Sequence, residues 1–411
     1  MREDLRRRLR ELGVVRGVRE LATLPARREV AIEDLVSGRF HTTSRGQCFV
    51  AEETYPLDHV HGDLLLSTFL ELSPQIVAQV AREEALADAN LRRACFLDTE
   101  TTGLSGGAGT MAFVVGLGFF VEEGFRLHQY FLRDPGDEPA MVETLAERLA
   151  EFEALVSFNG RAFDVPILEN RFILARIPPP TMGVPHLDLL QPARRLYRYC
   201  LSSCALTSLE REVLGVPRDQ ADVPGGVIPY LYRDYLSTGD AREMKRVLYH
   251  NAVDILSLVT LAARLCHLFA DPWAEADGAE LYGLGRWYAD EGRVADVERA
   301  YRAALRSALA PDLRAKALCD LAYFLKRAER RTEAFGCWQQ LALEATDDVL
   351  AHVELAKHLE WHVGDFSLAA QWTQAALARV ESWSRGLRRD AALDELRHRL
   401  ERLERKIRTK K

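Results

Sequence analysis

The chain has 411 residues, 48% of them hydrophobic and 28% charged, with a formal net charge of −7. That length predicts two or three domains. The composition is that of a soluble globular protein, and the charge excludes a chain coated in positive charge. The longest apolar run, Met111 to Val121, is far shorter than the ~20 residues of a spanning helix, so no membrane segment is expected.

The opening MREDLRRRLRELG carries charge where a secretory peptide has its apolar stretch, which predicts a cytoplasmic protein. Seven scattered cysteines suit reduced thiols better than a disulfide framework. Cys200 and Cys204 are spaced to share a helix face, but no second Cys or His pair lies nearby to complete a metal site. Both ends are basic, with nine arginines against five acids in Met1–Val30 and eleven basic residues against five acids in Arg385–Lys411. Such ends can touch phosphates or simply be solvated helix faces.

Residues 1–90 form an N-terminal region to which no fold is assigned. It opens on an amphipathic basic helix pattern, continues through short strands and turns in FHTTSRGQCFVAEETYPLDHVHGD, and reads as helix from Leu64 to Ala87. Asp58, His59, His61 and Asp63 make a metal-like cluster there, although such residues more often hydrogen-bond within turns. Residues 91–270 change to strands alternating with helices, an α/β domain. Five strands are expected, in ACFLDTE, TMAFVVGLGFFVEE, FRLHQYFL, ALVSFNG and PHLDLL, and the domain ends in a long helix from about Ala241 to Phe269.

Beyond Asp271-Pro272 the pattern is nearly all helical and repeats itself. Leu284, Leu321 and Leu355 each precede a small residue (Gly285, Ala322, Ala356), and the anchors recur after 37 and then 34 residues. The period resembles tetratricopeptide repeats and assigns residues 275–383 to a helical-repeat domain that could bind a protein partner. Residues 384–411 read as a basic C-terminal helix or tail.

Three segments carry chemistry. In FLDTETTG, Asp98 and Glu100 lie two apart on a strand, so both carboxylates project from one face, where a hard divalent cation is their natural partner. In VSFNGRAFDVPIL a strand runs into Asn159-Gly160 and a helix starts near Asp164, which in isolation would read as a helix cap. In LYHNAVDILSLVTLAARL, Asp254 is the single acid of an apolar helix, a position that is usually paired or functional.

Together, in this order, the segments resemble the DEDD superfamily of 3'-to-5' exonucleases, and DTETTGLSGGAGTMAFVVGLG with DVPGGVIPYLYRDYLSTGD resembles its YprB-like branch. The resemblance implies a ribonuclease H-like fold with a five-stranded mixed sheet, followed by the all-α repeats. It also implies two divalent cations, Mg²⁺ or Mn²⁺, held by Asp98, Glu100, Asp164 and Asp254, and two-metal hydrolysis of single-stranded DNA or RNA from a 3' end. In that superfamily a general base stands near the last Asp, a His five residues before it or a Tyr four before. Here the types are exchanged, with Tyr249 five before and His250 four before Asp254. His250 is favoured, since an imidazole near ~6.5 accepts a proton at neutral pH and a phenol near ~10 does not easily do so.

Thr101, Gly106, Gly107, Asn159, Tyr249, Arg194 and Arg195 are candidate contacts to the nucleic acid, Gly106 and Gly107 as part of a flexible loop beside the metal pair that also includes Ser105. A non-catalytic scaffold that binds nucleic acid and recruits partners through the repeats is the alternative function. A ribonuclease H-type endonuclease would share the metals but usually lacks the tight Asp-Xaa-Glu pair.

Overall fold

The first strands come from the stretch to which the sequence assigned no fold. β1 (Gly38–Thr43) and β2 (Gly46–Tyr55) form an antiparallel hairpin in which Thr43 pairs with Gly46. Gly46 holds a φ of +135°, which a side chain would strain. β3 (Val60–His61) and β4 (Leu64–Leu65) make a small separate hairpin, and α1 (Pro74–Ala81) follows. β5 (Ala94–Thr101), β6 (Ala112–Val121) and β7 (Gly124–Phe131) then follow, with β6 antiparallel to both β5 and β7. After α2 (Glu138–Leu149) come β8 (Ala154–Ser157), α3 (Asp164–Leu174) and β9 (His186–Asp188), with β8 and β9 parallel to β5. Four further helices follow: α4 (Leu190–Tyr197), α5 (Leu206–Leu209), α6 (Ile228–Thr238) and α7 (Arg242–Ala270).

This computed structural model describes residues 30–103, 109–219, 222–344 and 349–410. The chain divides into two compact units, one holding residues up to Ala78 with Glu83–Asp188 and Glu210–Leu261, the other Gln79–Arg82, Leu189–Leu209 and the chain from Ala262 on.

The mixed sheet of the first unit has seven strands in the order β1-β2-β7-β6-β5-β8-β9, which corrects the expected five. All five expected strands form. The two extra ones arise because β7 would otherwise leave an edge of unpaired backbone groups, which β2 covers from Phe49 to Tyr55. Only Cys48–Ala51 of β2 are buried, so the short strands expected in this stretch carry little apolar pattern to place them in the sheet.

β5 and β6 are buried along nearly their whole length, which their continuous apolar runs require. Phe96 packs its ring against Phe69, Phe120 and Phe125 at centroid distances of 4.9, 6.1 and 5.6 Å. α7 lies close on β6 because two glycines admit it. A Cβ at Gly116 would stand 2.3 Å from Asn251 Oδ1, and one at Gly118 would stand 2.4 Å from the Phe125 ring and 2.5 Å from Ile255 Cγ2. Among the described residues α7 alone is long and apolar enough to cross a membrane, and it is buried in the protein.

In the second unit the helices α8 (Gly278–Asp290), α9 (Val294–Arg306), α10 (Pro311–Arg327), α11 (Arg331–Glu344), α12 (Leu350–His358), α13 (Phe366–Glu381) and α14 (Leu387–Lys410) pack each on the next. Leu284, Leu321 and Leu355 are buried on α8, α10 and α12. Gly285 lets the Tyr301 ring of α9 approach to 2.6 Å of where its Cβ would be. Buried Glu360 accepts hydrogen bonds from Arg402 and Lys406 and so ties down α14.

Gly118→Ala should destabilise the protein by about 1–3 kcal/mol through overpacking between β6 and α7, measured as a lowered midpoint of urea unfolding with an unchanged slope. An unchanged midpoint would show that this contact is loose.

Candidate catalytic site

Asp98 and Glu100 leave β5 on one face, close to the strand's end. Between them Thr99 donates its hydroxyl to Asp164, the first residue of α3. Asp254 arrives from α7, one turn after His250. Residues separated by as many as 156 positions in the chain thereby act on one another electrically. Burial pushes the Asp98 carboxyl well above its usual range, and Asp254, Asp164 and Glu100 push it further. Glu100 is raised likewise, by burial and then by Asp254 and Asp164. Burial also raises Asp164, to about 6, against the Thr99 hydrogen bond, and raises Asp254 against the attraction of His250 and Arg218.

Several side chains hold the acids in place. Fully buried Asn251 donates to Asp98 Oδ2 at 2.8 Å and accepts from Gln129, which also donates to the carbonyl of Leu248. Asn159 sits at φ +64° in the turn before α3, and Asp188 accepts from the backbone N–H groups of Asn159 and Arg161 at 2.8 and 3.1 Å. That turn delivers Asp164. Beneath it Ser157 Oγ lies 2.7 Å from His186 Nε2, both buried.

Arg218, from the segment before α6, enters the acidic corner. It donates to both oxygens of Glu210 at 2.6 and 2.7 Å, to Asp222 at 3.2 Å and to Asp254. Burial works against its charge, but Glu210 and Asp254 outweigh that and hold the guanidinium above its usual pKa. His250 is nearly buried, with Nε2 3.6 Å from Asp254 Oδ2 and 3.9 Å from Glu100 Oε1 and Nδ1 2.7 Å from Asp222 Oδ1. Tyr249 points elsewhere, into a groove of about 740 Å³ shared with Tyr55, His59 and Lys245. Its phenol is pushed above its usual value, first by burial and then by Asp219.

Residues 95–266 match the family model of the RNase H superfamily. Over 370 residues, 87% of this chain and 86% of the relative, the sequence is 30% identical to the uncharacterized protein YprB of Bacillus subtilis (strain 168). The chain belongs to the YprB family. Its first unit is an RNase H-like domain with a mixed sheet, followed by a helical C-terminal region.

The other sequence-derived candidates divide. Thr101 is buried at the end of β5, its hydroxyl donating to the Gly103 carbonyl. Ser105, Gly106 and Gly107 lie outside the described residues. Arg194 and Arg195 are on α4 in the second unit, beside Arg198 along a hollow of about 480 Å³. The Asp58 to Asp63 cluster is dispersed: His61 Nε2 lies 2.9 Å from Ser257 Oγ, its pKa lowered to about 4 by burial, and His59 packs on the Tyr55 ring. Asn251, Arg218, Asp222 and Glu210 were not singled out from sequence. Asp222 does open the quoted DVPGG motif, and Asn251 stands one turn before Asp254.

The donor set fits a hard divalent cation in kind and charge, since four largely enclosed carboxylates with raised pKa values favour any added positive charge. The fit is to donor type and not to a finished coordination sphere. Among the described residues no three His, Cys, Asp or Glu side chains stand grouped around one ion position, and Arg218 holds one oxygen of Asp254.

A carboxyl with a higher pKa in the folded state binds its proton more tightly there. Metal-free stability therefore falls as pH rises from the ordinary carboxylate pKa near ~4 through the raised value. Asp98→Asn should flatten that decline and raise the metal-free melting temperature above neutral pH by about 2–4 °C, read by calorimetry across pH. An unchanged profile would mean that the charges are solvated after all.

Proposed function

We propose that this chain is a metal-dependent 3'-to-5' exonuclease of the DEDD type acting on single-stranded DNA or RNA. The observation that carries this reading is the convergence of Asp98, Glu100, Asp164 and Asp254 from β5, α3 and α7 into one buried, mutually repelling set, with His250 Nε2 facing Glu100 and Asp254. These four carboxylates are the groups that would hold two cations, Mg²⁺ or Mn²⁺. Bound there, the cations supply a more acidic water and stabilise charge on the scissile phosphate.

The chain's own residues do the rest. His250 Nε2 takes a proton from the attacking water as its oxygen bonds to phosphorus, and the P–O bond to the strand's remaining 3' oxygen breaks. Asn251 and Gln129 keep Asp98 turned toward the cluster. Thr101, Gly106, Gly107, Asn159 and Tyr249 are proposed contacts to the terminal nucleotides, and Arg194 and Arg195 to the backbone. The helix pairs α8–α13 are read as three tetratricopeptide-like repeats that bind a protein partner.

A second reading has its own observation. The grip of Arg218 on Asp254 suits a scaffold that binds nucleic acid without cutting it. End-labelled DNA and RNA oligonucleotides incubated with Mn²⁺ or Mg²⁺ separate the two. We expect a ladder shortening from the 3' end, abolished by Asp98→Ala or Asp254→Ala with the fold intact, while Tyr249→Phe costs less than about tenfold. Binding without cleavage would support the scaffold.

Arg218 also makes a prediction that needs no turnover. Arg218→Gln removes the cation that competes for Asp254 and should tighten Mn²⁺ binding by about tenfold, equivalent to ~1.4 kcal/mol, read from the free-Mn²⁺ paramagnetic resonance signal. Weaker binding would mean that Arg218 builds the site instead of competing for it.

A further inference from the structure

We infer that Asp222 is a positioning residue that fixes His250 in its Nδ1–H tautomer and leaves Nε2 as the proton acceptor. The inference rests on the hydrolytic reading for its purpose, but not for its geometry.

An imidazole can act as a base through one nitrogen only if the other carries the proton, so the partner of Nδ1 decides whether Nε2 has a free lone pair. Asp222 Oδ1 lies 2.7 Å from Nδ1, while Nε2 looks toward Asp254 at 3.6 Å and Glu100 at 3.9 Å. Two acceptors facing Nε2 suit a water held between them and the ring. The backbone leaves room for it, because the atom nearest to a Cβ built on Gly225 is Nε2 itself, 3.9 Å away.

Nδ1 has a second neighbour, Arg218 Nη1 at 2.9 Å, and the two partners demand opposite tautomers. An unprotonated Nδ1 would accept from Arg218 but would set its lone pair against a carboxylate oxygen at 2.7 Å. A protonated Nδ1 donates to Asp222, and Arg218 keeps acceptors in Glu210, Asp254 and the other oxygen of Asp222. The second arrangement pairs Asp222 and Arg218 and leaves the Nε2 lone pair open to a water, whereas the first leaves Asp222 Oδ1 facing a lone pair. Asp222 stays a carboxylate in this setting: burial opposes its charge, yet His250 and Arg218 hold its pKa below the usual range.

The test uses the full chain labelled with ¹⁵N-histidine. Long-range proton–nitrogen spectra at about pH 8, above the ~6.5 of free imidazole, report which ring nitrogen carries hydrogen, and the resonance missing in His250→Ala assigns the residue. We expect Nδ1–H in the wild type and a shift toward the Nε2–H form in Asp222→Ala. Turnover of that variant should fall on the order of 10–100-fold with KM within about threefold. In the His250→Ala background Asp222→Ala should then cost nothing further, because the two act as one unit. Asp222→Asn serves as the isosteric second variant if the alanine chain does not fold. A wild-type His250 in the Nε2–H form overturns the inference, as does an Asp222→Ala enzyme of full turnover or losses that multiply in the double variant. A wild-type chain that cuts no oligonucleotide while His250 carries Nδ1–H overturns the hydrolytic reading and leaves the pairing standing.

Discussion

Asp98, Glu100, Asp164 and Asp254 meet in a corner from which most water is excluded, and burial is the largest cause of the raised pKa of each. Two carboxylates about 5 Å apart at an effective dielectric of ~20 repel by about 3 kcal/mol. A few such pairs would consume a large share of the roughly 5–15 kcal/mol by which a domain is stable. The arrangement therefore demands either bound protons or positive charge. Arg218 is the guanidinium that answers it, and its position explains why one loop supplies Arg218, Asp222 and, just before them, Glu210.

The scaffold is built to hold that corner against its own repulsion. β5 is paired with β6 through Asp98 and Glu100 and anchored at its start, Ala94–Phe96, by parallel pairing with β8, so the strand that carries the two acids is not a loose edge. α7 is pressed to β6 over Gly116 and Gly118, which fixes the height of Asp254 and His250 above the sheet. The turn to Asp164 is braced from below by the Asp188 carboxylate on two backbone N–H groups. Each acid is thus carried by backbone that hydrogen bonding or burial has already immobilised, which is how charge repulsion is kept from opening the site.

The sequence was legible where chemistry and periodicity coincide. Asp98 and Glu100 stand out because two acids interrupt an otherwise apolar strand, and Asp254 because it is the one acid of the apolar helical stretch Leu248–Leu265. The five expected strands are visible as short runs rich in apolar residues. β1 and β2 lie in a stretch read as short strands and turns, but their place in this sheet was not visible, because the outer hairpin buries only Cys48–Ala51 of β2. Arg218 and Asp222 were hidden differently. An Arg and an Asp four apart in a Pro- and Gly-rich segment look like solvated loop residues, and only the fold brings them to Asp254 and His250. Asn251 looked like one more polar position on a helix, although its side chain is wholly enclosed between Asp98 and Gln129.

The geometry of Arg218 also separates two tasks that share a loop. Its Nε and one Nη bind Glu210 at two points, and the other Nη reaches Asp222, so the bond to Asp254 is one of several and the most dispensable for holding the segment. When positive charge is added at Asp254, the guanidinium can yield that oxygen and still keep Glu210 and Asp222. Asp222 then remains beside Nδ1 of His250, since both its partners are still in place. The exchange of counter-charge at the carboxylates and the orientation of the imidazole are therefore mechanically independent, even though one arginine touches both. Had Arg218 been anchored through Asp254 alone, any cation entering the site would have released Asp222 and, with it, the hold on His250.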